Sequence, residues 1–450
     1  MRFYYPIEYR AIMRLGIPIS IGQIGITLQN LADNIMVGQH SLEELAAAGF
    51  INNMFMLGLL LSLGYSVGAV SQIGALYSRN ETSKIVSVFK SSIVADLLQS
   101  LLILLALVGL YFFLPYMGQP EQLIPLMKPY LVLQIISIPF IAVAGAFRQF
   151  TDTINDTTVA MTIIIIGNSC NIALNWLLIF GNWGFPEMGI EGAAWATLIS
   201  RILMCLMYVG VFCFTRKYKK YKACWKTSHV NRKHLIRLNR LGWPIALQMG
   251  METSSFTIVA IILGWLGTNA LAAHQVMLNI ANVIFMIYIG AGNAVAIRVS
   301  NHNGLNDISG IRQTTFAGYQ IILFYGIVLS TLAFICRHDV SYLFTDNAEV
   351  AEIVSTLIYP LVLYQLGDGL QLVFANGLRG LGDVNKLMKY SFIAYIVISL
   401  PLSYLMGIVF NWGTFGVWMA FPFGLTTAGI LYARRFLKIT TKLGIDRKLD

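Results

Sequence analysis

"RLGWPI", Arg240–Ile245, repeats "RLGIPI", Arg14–Ile19, 226 residues downstream. Other pairs keep that spacing: "LAAAG" from Leu45 and "LAAHQ" from Leu271, Asn53 and Asn279, Gly64 and Gly290, "NE" at Asn80 and "ND" at Asn306. Further on, Gln134, Arg148 and Asp152 pair with Gln365, Arg379 and Asp383 at a spacing of 231. A chain that copies itself at so long a period consists of two similar lobes. Between the copies lies its longest polar stretch, "RKYKKYKACWKTSHVNRKHLIRLNR", Arg216–Arg240. The expected division is therefore a lobe over 1–215, a basic linker over 216–240 lying near anionic headgroups, a lobe over 241–436 and a basic tail over 437–450.

The 450 residues are 57% hydrophobic and only 12% charged, with a mean hydropathy of +0.68, a balance foreign to soluble proteins of this size. A helix needs roughly 20 apolar residues to cross a membrane. Twelve stretches qualify: 14–37, 49–76, 91–114, 130–150, 159–181, 190–214, 241–264, 274–297, 315–336, 354–378, 390–410 and 414–433. None alternates as a barrel strand does. The expected fold is an all-α polytopic membrane protein, twelve helices in two six-helix lobes related by a pseudo-twofold axis along the membrane normal. The first apolar segment is too long for a cleavable signal peptide, so none is expected.

The net charge of +10 could suggest a nucleic acid, but the basic residues are sorted by loop. With the N-terminus inside, Arg79, Lys84, Lys90, Arg298, Arg312, Lys386, Lys389 and the tail from Arg434 to Lys448 share one side. The opposite loops carry Glu43, Glu44, Glu121, Glu187, Asp346 and Glu349, with little beyond Lys128 and Arg337 to balance them. This is the positive-inside pattern of a multi-pass plasma-membrane protein with both termini cytoplasmic, and no nucleic acid is needed to explain the charge. The five cysteines, Cys170, Cys205, Cys213, Cys224 and Cys336, lack metal or redox spacing and read as reduced packing residues. His229, His234, His274 and His302 form no HExxH zinc pattern.

Three carboxylates interrupt the apolar spans: Asp33, Glu252 and Asp368. Each costs about 2.5–3.5 kcal/mol at mid-membrane on insertion scales. In "YQLGDGLQ", Tyr364–Gln371, the tyrosine, Asp368 and Gln371 stand at i, i+4 and i+7 and share a helix face. Similar stripes are Gln29 with Asp33, Asn168 with Asn171 and Asn175, and Gln275 with Asn279 and Asn282. They are expected to wall a cavity, with interhelical hydrogen bonding as the alternative for any single asparagine. Gly367 and Gly369 either permit close helix contact or loosen the helix so that its carbonyls join a cation's oxygen shell. At the repeat spacings Asp368 corresponds to Ser137, and Asp33 to Val259, so the lobes differ chemically.

"LADNIMVGQHSLEELAAAG", "LAAHQVMLNIANVIFMIYIGAGNAVAIRVSNHNG" and "YQLGDGLQLVFANGLRGLGD" resemble the multidrug and toxic compound extrusion (MATE) transporters, in particular their NorM-like branch. The resemblance runs from about Arg14 to Tyr432. It implies a V-shaped pair of lobes, acting as a monomer in a bacterial inner membrane, that exports organic cations and amphipathic drugs in exchange for inward Na⁺ or H⁺. No cofactor beyond that coupling ion is implied. The resemblance places a cation site on Glu252, Tyr364 and Asp368, with Na⁺ taken by Glu252 and Asp368. It places the first-lobe acid on Asp33 with Asn171 and Asn175. Gln29, Gln275, Asn279, Asn282 and Gln371 complete the expected substrate cavity.

The nearest competing function is a flippase for lipid-linked oligosaccharides, which resembles MATE transporters in architecture. It calls for cavity arginines to bind pyrophosphate, and Arg201 is the one clearly mid-helix arginine. An intramembrane enzyme would need a nucleophile and base or a metal pair in register, and the sequence offers neither.

Overall fold

The computed structural model describes residues 4–343 and 347–449, which leaves Asp346 outside the described residues. Among these the chain forms helices and turns and no strand. Twelve helices are long and apolar enough to cross a membrane. They are labelled α1 Pro6–His40, α2 Leu42–Ser78, α3 Thr82–Tyr116, α4 Glu121–Thr153, α5 Thr157–Ile179, α6 Gly189–Phe214, α7 Arg232–Trp265, α8 Thr268–Gly304, α9 Ile308–Ile335, α10 Ala348–Leu381, α11 Val384–Val409 and α12 Gly413–Ile445. Most overrun their apolar stretches by a turn or two, because a helix that has nucleated gains a hydrogen bond with each added residue. The tail, expected as a separate segment, continues the last helix to Leu449.

The turns show how the repeat is written into the backbone. After α2, α4, α8 and α10 the chain passes through a left-handed residue, Asn80, Asn155, Asn306 and Gly382 respectively, each followed by an acid. In every case the acid's N–H reaches back to a carbonyl five residues earlier, as in Asp307 to His302 at 2.9 Å and Asp383 to Leu378 at 3.0 Å. Glycine and asparagine are the residues that tolerate this backbone, and the paired bonds satisfy the helix's last carbonyls. The turn after α4 is offset by 227 residues from its counterpart, against 231 at Arg148 and Arg379, so α4 carries one extra helical turn. Asp152 thereby lies within the helix. Asp156 takes the turn position and accepts from Lys217 at 2.8 Å.

The described residues fall into two compact units. The first is Ile21–Ala246; the second combines the described residues up to Ser20 with those from Leu247 onward. This cut differs from the lobes expected at 1–215 and 241–436. The start of α1 belongs to the second unit and the start of α7 to the first. The glycine of each "RLG" repeat explains why. A methyl group on Gly16 would stand 3.1 Å from the carbonyl of Gly290, and one on Gly242 would stand 2.8 Å from the carbonyl oxygen of Tyr65. Without side chains at these points the helix backbones touch, as small residues allow in membrane bundles. Glu8 fixes the start of α1 further, accepting from Arg298 at 2.6 and 3.2 Å and from Thr314 at 2.7 Å.

The linker is not the solvated loop that its charge suggests. Lys219–Trp225 forms a short helix whose Tyr218 and Tyr221 flank are buried. They join Phe89, Phe150, Phe212 and Trp225 in an aromatic cluster, with Phe89 and Phe150 stacked at 4.2 Å. Tyr218 donates to Asp156 at 2.7 Å. Burial, with that carboxylate beside it, pushes the tyrosine's phenol above its ordinary range. Aromatic spacing, not charge, decides where this segment lies.

Candidate functional site

In the first unit α1 brings Asp33 against α5. Asp33 accepts from Asn175 Nδ2 at 2.5 Å and from Gln29 Nε2 at 3.5 Å, and remains partly exposed. The donor asparagine is fully buried and also reaches Asn171 at 3.3 Å, which in turn donates to Thr197 and Ser200 of α6 at 3.4 and 3.3 Å. Three residues expected to form one site are therefore joined by a continuous amide chain. All three asparagines of the stripe are buried, Asn171 bonding to α6, Asn175 to Asp33 of α1, and Asn168 lying against Gly25 of α1, so the stripe packs between helices and is not the open cavity wall that was expected.

In the second unit α7 supplies Glu252 and α10 supplies Tyr364, Asp368 and Gln371. Glu252 accepts from Gln248 at 2.9 Å and from Gln371 at 3.3 Å. Gln371 accepts from Tyr395 of α11 at 2.6 Å. Gln248 accepts from Arg379 at 2.5 Å, and Arg379 also donates to Asn376 at 3.2 Å. The arginine thus meets the acid through a glutamine and makes no ion pair with it. Tyr364 lies one helical turn before Asp368, its ring among Phe256, Trp418 and Phe421. Asp368 is 2% exposed, and its Oδ2 has no hydrogen-bond partner among the described residues. Such a bare buried oxygen costs more than a paired one and marks a place where a proton or cation belongs.

None of the three acids makes a salt bridge among the described residues. No group of three or more His, Cys, Asp or Glu side chains is placed to hold a metal among those residues either. A Na⁺ at Glu252 and Asp368 would have to complete its oxygen shell from neutral groups, of which Tyr364 and Gln371 are at hand.

The glycine alternatives are decided, and two expectations need correcting. Gly367 and Gly369 leave α10 unbroken from Ala348 to Leu381. A methyl group on Gly367 would meet Thr426 Oγ1 at 2.8 Å, and one on Gly369 would meet Ile322 at 2.8 Å. They serve close packing, and no carbonyl is released. Tyr364, Asp368 and Gln371 are buried inside their unit instead of lining open space. Gln275, Asn279 and Asn282 do share an exposed face of α8, but they join neither acid cluster and make no hydrogen bond among the described residues.

Arg379 and Asp96 were missed, and Arg201 was read only by its place within a helix. Arg379, read from the sequence only as a repeat position, braces Gln248. Arg201 donates to Gln134 at 2.5 Å and to Ser137 at 2.6 Å and lies over the ring of Phe55 at 4.9 Å. One nitrogen of its guanidinium is thus tied to α4. Asp96 of α3, 3% exposed, is a further acid within the spans. The signal was present, since it is the only charged residue between Lys90 and Glu121.

The model of the MatE family matches residues 18–177 and 244–405, one segment in each half of the repeat. This chain belongs to the MatE family. The family is one of transporters, and the chain is not an enzyme. Among curated proteins it is similar to the multidrug resistance protein NorM of Aliivibrio fischeri, 30% identical over 452 residues, 99% of this chain and 98% of that one. NorM of Vibrio cholerae is 30% identical over 438 residues, 96% of this chain and 95% of that one. Among solved structures, a MATE protein in the bent conformation superposes with a TM-score of 0.88 at 20% identity, covering 98% of this chain and 97% of that one. An outward-facing multidrug resistance MATE transporter gives 0.86 at 20% identity, with 97% of each chain covered. The MatE fold is thereby fixed along the whole length, with twelve candidate membrane helices.

Proposed function

We propose that this MatE chain is a secondary active multidrug exporter, moving cationic and amphipathic organic compounds outward in exchange for inward Na⁺ or H⁺ by alternating access. It acts as a monomer in the bacterial inner membrane with both termini in the cytoplasm. The observation that carries the reading is the bare oxygen of Asp368 beside a Glu252 held only by neutral amides. Acids permanently clamped by lysine or arginine would have no vacancy for a travelling cation. The names of the NorM relatives support drug efflux.

A cation entering from outside offsets one of the two charges of the Glu252 and Asp368 pair, or a proton neutralises Asp33. The drug's hold on these acids then weakens and it leaves. Each charge moved down 100 mV yields about 2.3 kcal/mol, and each tenfold ion gradient about 1.4 kcal/mol. One cation therefore sustains a drug gradient of a few hundredfold, provided the drug's own charge is not moved against the field.

The test is purified protein in liposomes loaded with a fluorescent organic cation, with Na⁺ and pH gradients imposed one at a time. Efflux driven by one of them is expected. Equal efflux after both gradients and the membrane potential have been collapsed would sink the antiport reading.

A further inference from the structure

A buried acid outside both sites described above lies in the first unit. Asp96 on α3 is 3% exposed and faces Ser66 of α2, whose hydroxyl stands 3.1 Å from Asp96 Oδ2 and 3.1 Å from the carbonyl of Ser62. A hydroxyl has one hydrogen, and a backbone carbonyl can only accept. Both contacts are made in full only when Ser66 donates to Ser62 and the hydrogen between Asp96 and Ser66 comes from the acid.

The surroundings fit a neutral acid. No ion pair reaches Asp96 among the described residues. The titratable group facing it is Tyr65 of α2, whose hydroxyl is buried without a partner among the described residues. Gln99, one turn along α3, is 3% exposed with both amide atoms unpartnered, and Gln72 of α2 has a buried unpartnered Nε2. The helix beside this group is interrupted: Leu42–Ser66 is followed by a 3₁₀ turn at Val67–Ala69 before helix resumes at Val70. Such a tightened turn within a helix is a site of rearrangement. The corresponding stretch of α8 runs unbroken.

The repeat gives the group its meaning. At the spacing of 226, Ser62, Ser66 and Asp96 correspond to Tyr288, Gly292 and Ile322. In the second unit a methyl group on Gly369 would meet Ile322 at 2.8 Å and Tyr288 at 3.8 Å, so these residues surround the chain neighbour of Asp368. The correspondence extends to α4 and α10, where Gly145 sits against Ser66 as its counterpart Asn376 sits against Gly292. Each unit thus has one sealed acid at the same station of the repeat, supplied by α3 in one and by α10 in the other. We propose that Asp96 is a proton-binding site of the first unit, releasing its proton to water when the turn at Val67–Ala69 shifts. The acid's O–H bond breaks, its electron pair stays on the carboxylate, and water takes the proton.

This rests on the cation-coupled reading only for its use in transport, so the test reads the acid directly. Infrared difference spectra of the purified chain, wild type against Asp96→Asn, are recorded from acidic to alkaline buffer, with Na⁺ added separately at constant pH. The expected result is a protonated-carboxyl band in neutral buffer that Asp96→Asn lacks and that fades reversibly into a carboxylate band as the buffer is made alkaline. If Asp96→Asn does not fold, Ser66→Ala serves instead, because loss of the hydroxyl must shift the band's frequency. A carboxylate band alone in neutral buffer, a carboxyl band that never titrates, or one abolished by Na⁺ at constant pH each overturns the proposal. A titrating band in a protein that exchanges no drug for cations leaves this site standing and removes the transport reading.

Discussion

Asp33 and Asp368 are both carboxylates set in apolar helices, and their surroundings are opposite. Asp33 is partly exposed and accepts from two amides, one of them fully buried. Asp368 is sealed among Tyr364, its packed glycines and the apolar core of the second unit, with an oxygen that nothing donates to. Donors favour the charged form of an acid, while a buried oxygen without one favours a proton or a paired cation. On the function proposed above, the two units would divide labour: one offers a partly exposed acid that a cationic drug can reach, the other a sealed vacancy that a small cation or proton can fill.

The largest expected effect separates these roles. Asp368→Asn should lower ion-driven drug transport about a hundredfold, roughly 2.7 kcal/mol, with little change in drug binding. Asp33→Asn should weaken drug binding about tenfold, near 1.4 kcal/mol, while ion binding survives. Transport rates and drug affinities measured on both variants check this, and matching losses in both columns would break the comparison. Next come the donors. Asn175→Leu removes a hydrogen bond to a charged acid and should cost about 1.5–3 kcal/mol of stability. Gln371→Leu, which loses the longer 3.3 Å bond to Glu252, should cost less; thermal melts of the two variants rank them.

The repeat glycines offer a subtler test. Gly16→Val and Gly242→Val each force a side chain into a backbone contact and should each cost about 1–3 kcal/mol, the former loosening the second unit and the latter the first. Gly210→Ala, with nothing within 4 Å of the added methyl, should be neutral or slightly stabilising, and hydrogen exchange locates the damage. Smallest of all, Gln275→Leu, Asn279→Leu and Asn282→Leu should change stability by no more than about 0.5 kcal/mol. Their exposed stripe can affect only which drugs are carried, read as a change in the order of drug affinities.

Much of this was legible in the residues themselves. Twelve apolar stretches, the repeat and the acid stripes needed only helix periodicity and length, because in a membrane the backbone has little choice but to be helical. The exchange of helix ends between the units was not legible. It depends on Gly16 meeting Gly290 and Gly242 meeting Tyr65, contacts between residues far apart in the chain that no local pattern records. The linker misled because its lysines outnumber its aromatics, while the aromatics decide where it packs. Asp96 was overlooked although Ser92, Gln99 and Ser100 stand with it at i−4, i+3 and i+4, because small hydroxyls stand out less in an apolar run than the amides of the other stripes. Arg379 was missed because its partner Gln248 lies on another helix, far away in the chain.

The placement of Ser20/Ile21 and Ala246/Leu247 at the unit boundary has a consequence for assembly. Both crossings fall inside α1 and α7, two residues beyond Pro18 and Pro244, and the linker lies wholly within one unit. A chain severed near His229 would therefore not come apart into two finished bodies. Each fragment would lack the opening turns of a helix that its mate carries, so the pieces should be insoluble alone and recover a working exporter only when synthesised together.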